Sequence, residues 1–135
     1  MTSQNLENLA RRGDLKREPP DDHEIEALLK SARARLRDAQ RSELAFESRF
    51  DLAYNAAHSV ALAALRRCGF RSEKRYLVFQ CLESTLGMRP GIWRVLALCH
   101  EHRNVAEYEG HLEVDEQLMS DLLRVTELIL QEIAA

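Results

Sequence analysis

The sequence predicts an all-α protein: an antiparallel bundle of about five helices over residues 21–135, preceded by a short N-terminal arm over residues 1–20. Three observations carry this. Apolar positions recur at helical spacing between glycine and proline stops. β signals are nearly absent, with no run of alternating β-branched residues and no Asn-Gly hairpin turn. The chain has 135 residues, 45% apolar and 30% charged, which suffices for one packed core and argues against bulk disorder.

The elements follow in order. Residues 1–20 are polar, with a weak helical turn or two around Asn5–Leu9 that Gly13 and Pro19-Pro20 interrupt, so a loosely attached arm is expected. Asp21 or Asp22 then caps a helix whose Ile25, Leu28, Leu29, Ala32 and Leu36 share one face. Glu24 and Glu26 favour the positive end of its dipole. A break near Ser42 starts a second long helix that runs to about Cys68. Phe50, Ala53, Tyr54, Ala57, Val60, Ala61, Ala64 and Leu65 form one alanine-rich stripe along it, and Gly69 ends it. The third helix spans about Glu73 to Leu86 and stops at Gly87. Pro90 opens the fourth, which ends by Gly110. The last begins near Asp115, with Leu118, Leu122, Val125, Ile129 and Glu132 as its seam. Phe50, Ala57, Val60, Leu65, Trp93, Leu96, Leu122 and Val125 are expected in the core.

Composition limits the function classes. The net charge of −3 excludes a generally basic nucleic-acid binder but not a local patch. Between Arg66 and Arg75 five bases face one acid, a local +4. From Glu107 onward eight acids face one base, a local −7. The basic turn reads either as a solvated helix end or as a contact for a phosphate or an acidic segment, the last helix included. Cys68, Cys81 and Cys99 form no CxxC pair and sit in apolar helical stretches, so three buried, reduced thiols are expected. The start of the chain is polar and mixed in charge, unlike a signal peptide, and no apolar run approaches the roughly 20 residues of a membrane helix. A cytoplasmic protein without membrane contact is expected.

The stretch CHEHRNVAEYEGH, Cys99 to His111, concentrates the polar chemistry. His100 and His102 lie about 200° apart on a helix, so they diverge and do not make a zinc pair. No metal or cofactor is expected. No GxSxG elbow, phosphate loop or reactive cysteine is present. Arg103 and Glu107 lie about 40° apart, as do His100 and Asn104. They read either as surface pairs or as a polar cluster in which Arg103 holds a phosphate and Asn104 orients it.

Four segments carry a family resemblance: Ser48-Arg49-Phe50-Asp51-Leu52-Ala53-Tyr54-Asn55-Ala56-Ala57, Gly69-Phe70-Arg71-Ser72, Arg75-Tyr76-Leu77-Val78-Phe79-Gln80, and Arg103-Asn104-Val105-Ala106-Glu107-Tyr108-Glu109-Gly110. In this order they resemble the HEPN superfamily (higher eukaryotes and prokaryotes nucleotide-binding domains). The resemblance implies a dimeric helical module of a prokaryotic toxin–antitoxin or defence system, with RNA or nucleotide as ligand. It implies a cognate antitoxin or a nucleotidyltransferase as partner. Active members carry Arg, a polar residue, three free positions and His. Arg103 and Asn104 match the first two, while Tyr108 stands at the His position. Arg103, Asn104, Glu107 and Tyr108 are thus the implied phosphate contacts, with Arg103 and Tyr108 the candidates for catalysis. Tyrosine is a poor base near neutral pH, its reference pKa being about 10. Three outcomes stay open: phosphate binding alone, a metal-independent ribonuclease with a shifted site, and a non-catalytic interaction scaffold. Arg94 and His100 show a looser Arg-x5-His spacing that reads as coincidence in an apolar part of the helix. Arg103, Asn104 and Tyr108 are expected to line a polar pocket or cleft.

Overall fold

A computed structural model of the protein describes residues 2–135, with side chains from Gln4 onward. The chain runs α1 (Thr2–Arg11), β1 (Lys16–Arg17), α2 (Asp22–Ala39), α3 (Phe46–Arg67), β2 (Phe70–Arg71), α4 (Arg75–Gln80), α5 (Leu82–Thr85), α6 (Pro90–Glu109) and α7 (Glu116–Ala134). It is an all-α bundle with one minor antiparallel ribbon, in which Lys16 pairs with Arg71 and Arg17 with Phe70.

The helix ends follow the local chemistry. Asp21 caps α2, its carboxylate accepting from the backbone N–H of His23 at 3.0 Å and of Glu24 at 3.3 Å. Asp115 caps α7 by accepting from Leu118 N–H at 2.8 Å. Gly69 and Gly110 follow α3 and α6 at φ 91° and 80°, the left-handed region that closes a helix without a Cβ clash.

The central element is α3, packed against both α2 and α7. Ala53, Ala56, Ala57, Ala61, Ala63 and Ala64 are all at most 1% exposed, so the neighbouring backbones approach closely. All eight residues expected in the core are buried. The seam of α7 differs at its end, where Ile133 is buried and Glu132 is exposed. A carboxylate there stays in water and the apolar neighbour takes the inward position.

Two further expectations are corrected. The arm is docked rather than loose: Leu6 and Leu15 are 2% and 4% exposed, and Asn5 Nδ2 donates to Ser84 Oγ at 3.0 Å. The third helix is broken at Cys81, whose N–H closes α4 on Leu77 O and whose carbonyl starts α5 by accepting from Thr85 N–H. The break lets Val78 and Phe79 enter the core on one side while α5 meets α1 on the other.

Candidate functional site

Trp93, Leu96 and Cys99 of α6 turn into the core. The 3.6-residue period then leaves Arg94, Leu98, Glu101 and Asn104 on its outer side, with His100 half-buried at the boundary. An open groove of about 490 Å³ lies there, walled by Tyr76 of α4 and by Arg94, Leu98, His100, Glu101 and Asn104 of α6. Arg94 and His100, whose spacing reads as coincidence in the sequence, line this same groove.

His100 anchors a polar chain. Its Nδ1 lies 2.7 Å from the hydroxyl of Tyr54, and its Nε2 lies 3.2 Å from Asn104 Nδ2. The two rings also stack, with centroids 6.2 Å apart and planes 13° from parallel. In this amide orientation Asn104 donates to Nε2, so Nδ1 carries the hydrogen and donates to Tyr54. Burial lowers the pKa of His100, and the cations Arg75 and Arg103 lower it further against the opposing effect of Glu107. The imidazole is therefore neutral at pH 7, with Nε2 as acceptor.

Arg103 faces elsewhere. Its Nε donates to Asp51 and its Nη1 to Glu107, each at 3.1 Å, and its guanidinium lies 5.1 Å from the Tyr54 ring centroid. It lines a second cavity of about 610 Å³ with Leu44, Glu47, Phe50, Asp51 and Glu107. Three carboxylates there face one guanidinium, a setting that repels a phosphate. Tyr108 is 92% exposed and lines neither cavity. Of the three residues expected at a cleft, Asn104 is in the groove with His100, Arg103 is in the acidic cavity with Glu107, and Tyr108 is in solvent. One residue along a helix turns about 100°, which parts Arg103 from Asn104, whereas Tyr108 lies one turn beyond Asn104 on the same side, exposed next to the end of α6 at Glu109.

The basic turn is spent largely on the fold. Arg66 is 1% exposed and bonds to the Glu24 carboxylate, to Glu18 O at 2.9 Å and to Pro19 O at 2.7 Å. Arg71 shares Glu18 and Glu24 with it. Arg67 Nη1 donates to Ile133 O at 2.9 Å, at the end of acidic α7. Arg75 differs, since its Nη1 donates to the neutral Asn55 Oδ1 at 3.0 Å and its guanidinium lies 5.4 Å from the Tyr54 centroid.

In the sequence Tyr54 reads as part of the apolar stripe and Arg75 as part of the basic turn, and His58 carries no role, yet Tyr54 bonds His100 and both Arg75 and His58 lie close enough to act on its charge or feel it. The signal was present: Tyr54 and His58 are polar groups at i and i+4 in an alanine-rich core stripe. His58 packs edge-on to Phe79, and its Nε2 is buried without a partner among the described residues. Burial first, then Arg75 and His100, lowers its pKa to about 4. Among the described residues no group of His, Cys, Asp and Glu is placed to hold a metal ion. No helix among them is long and apolar enough to cross a membrane. Cys81 and Cys99 are buried as expected, whereas Cys68, the residue that caps the C-terminal end of α3, is exposed.

No family model, curated protein or solved structure matches the chain.

Proposed function

We propose that this chain is a HEPN-like helical module of a prokaryotic toxin–antitoxin or defence system, and that it binds RNA or nucleotide phosphate in the groove between α4 and α6. One observation carries the reading: Arg94, Asn104 and a neutral His100 share one groove with the exposed ring of Tyr76. A guanidinium grips phosphate, an amide orients it, and an aromatic face stacks a base. Arg94 makes no ion pair among the described residues, its guanidinium lies 5.8 Å from the Trp93 ring centroid, and it faces a single carboxylate, Glu101, in the groove, where Arg103 faces three in its cavity. Leu98, Val105 and Tyr108 are exposed along the same helix and favour a second copy against α6. A cognate antitoxin or nucleotidyltransferase remains the partner class, and the cytoplasm its compartment.

The second reading is a metal-independent ribonuclease with a shifted site. It is favoured by His100, whose ring Tyr54 and Asn104 orient at the wall of the groove. In that reading the ligand displaces Asn104 from Nε2, which takes the 2′-OH proton; the 2′-oxygen bonds to phosphorus, the bond to the 5′-oxygen breaks, that oxygen takes the proton back from His100, and Arg94 steadies the phosphate. A scaffold without ligand shows neither activity.

The test uses labelled RNA at low salt without metal, with retention and cleavage measured for wild type, Arg94→Ala and His100→Ala. Retention that falls with both substitutions supports the groove. Cleavage lost with His100→Ala adds the enzyme. Wild type that retains no RNA removes the proposal.

A further inference from the structure

We propose that a second groove, between α2 and α7, docks an acidic amphipathic helix of a protein partner, its apolar side chains on the floor and its carboxylates on the α2 rim. The inference does not rest on the RNA reading, because it uses a different pair of helices and none of the same residues.

The rim follows from the helical period of α2. Lys30, Arg33 and Arg37 fall within about 60° of one another, and Arg33 and Arg37 lie about 6 Å apart along the axis. All three are exposed, and none makes an ion pair among the described residues. Arg66, Arg71 and Arg103, by contrast, already hold carboxylates. A solvated cationic run is ordinary on a helix, and the groove beside this one gives it a use.

The floor follows from packing. α2 and α7 both lie on α3, and between them Leu36, Leu130 and Ala134 line a groove of about 410 Å³. Arg33 and Arg37 stand on its α2 side, with the amides of Gln40 and Gln131. Glu127 is the one carboxylate among its described lining residues, and it accepts from Gln131 Nε2 at 3.4 Å. Glu26 lies one turn before Lys30 on the same side of α2, outside the groove. The rim thus carries three cations against these two acids, on a chain whose net charge is −3.

One occupant uses both features. An apolar floor beneath a charged rim is the setting in which an amphipathic helix lays its apolar face. Carboxylates four residues apart on that helix repeat every 6 Å or so, the spacing of Arg33 and Arg37. A nucleic-acid strand finds charge there but no aromatic ring to stack on, since none lines the groove. An amphiphile with a single anionic head engages one guanidinium and leaves the rest of the rim unused.

The experiment uses the full-length protein and a labelled synthetic peptide of about 18 residues. Its leucines recur at i, i+3, i+4 and i+7, with glutamates flanking them. A second peptide has lysine in place of glutamate. Fluorescence anisotropy should show saturable binding of the acidic peptide that weakens as salt rises, and none of the lysine peptide. Arg33→Glu combined with Arg37→Glu should weaken binding by about tenfold or more. Arg35→Glu reverses a charge about 160° round the helix from Arg33 and should change it by less than about twofold. Leu130→Ala should weaken it by about threefold or more at any salt. Circular dichroism checks that each variant is folded. Failure of wild type to bind the acidic peptide, or equal losses from Arg35→Glu and the double variant, overturns the inference. Sedimentation velocity and RNA retention are measured on the same proteins. A wild-type dimer that the double variant dissolves seats a second copy in the groove, and RNA retention that it abolishes seats a nucleic acid there. Either result also overturns the inference. Peptide binding with the expected losses in a protein that retains no RNA upholds it while the α4–α6 reading fails. RNA retention in a protein that does not bind the peptide does the reverse.

Discussion

The hydroxyl of Tyr54 and Nδ1 of His100 lie 2.7 Å apart, joining the buried face of α3 to the groove on α6. Tyr54 is 0% exposed, so the contact is made where water does not compete. Burial raises the pKa of the phenol, against the opposing pull of Arg75. The hydroxyl therefore stays neutral and His100 stays oriented. His100 should titrate below its ordinary 6.5 in an NMR pH series, and Arg75→Gln should move it upward by removing a neighbouring cation. A His100 that titrates at 6.5 or above in wild type would contradict the buried geometry.

His58 makes stability depend on pH. Its folded pKa of about 4 lies below the ordinary 6.5, so between those values the unfolded chain binds more protons. Stability thus rises with pH across that window and falls on acidification. The contribution should be about 1–3 kcal/mol. Thermal midpoints measured from pH 7 to pH 4 should fall, and His58→Gln should flatten the slope. Parallel slopes for the two proteins would show that other groups dominate.

The buried network of Arg66 gives the largest single stability effect expected. Arg66→Met leaves the carbonyls of Glu18 and Pro19 without their donor and Glu24 with Arg71 alone, and should cost about 3–5 kcal/mol by urea denaturation. The hydrogen bond from Arg66 holds the Glu24 carboxyl below its usual 4.5, with Arg71 adding to it against partial burial. A depressed carboxylate stabilises the fold above pH 4.5, and that share is lost as pH falls through the folded value. Glu24→Gln should therefore weaken the protein at pH 7 and blunt its acid sensitivity. A cost below about 1 kcal/mol for Arg66→Met would mean that water replaces the network.

Leu122 tests the bundle itself. It is 0% exposed in the seam of α7 against α3, so Leu122→Ala should cost about 2–5 kcal/mol. Arg103→Ala removes two partly exposed pairs, with Asp51 and Glu107, and should cost only about 0.2–1 kcal/mol. RNA retention should survive Arg103→Ala and Tyr108→Phe, because neither side chain lines the groove. Loss of retention in either variant would return the site to the Arg103 end of α6.

Thiol chemistry reports the packing of the cysteines. Burial pushes Cys81 and Cys99 up to about 12, leaving almost no thiolate at pH 8. Native alkylation at that pH should modify Cys68 and spare the other two until denaturant is added. Equal labelling of all three would show that α4 and α6 open readily.

The bundle was legible in the sequence because its causes are local. Asp21, Gly69, Pro90, Gly110 and Asp115 mark helix ends through their own backbone chemistry, and the apolar period fixes which face of each helix is buried. The docked arm was less legible, since Leu6 and Leu15 reach the core through long-range packing that no periodic run announces. The site lay further out of reach. The family resemblance grouped Arg103, Asn104 and Tyr108, whereas the fold sends them to two cavities and to solvent. Whether a charged side chain is free or spent depends on partners far away in the chain. Arg66 meets Glu24 and Arg103 meets Asp51 across interhelical contacts, while Arg75 meets the uncharged Asn55 and Tyr54. Periodicity decides the face of a helix. Only the packing of α3, α4 and α6 decides which polar groups on those faces are neutralised and which remain open to a ligand.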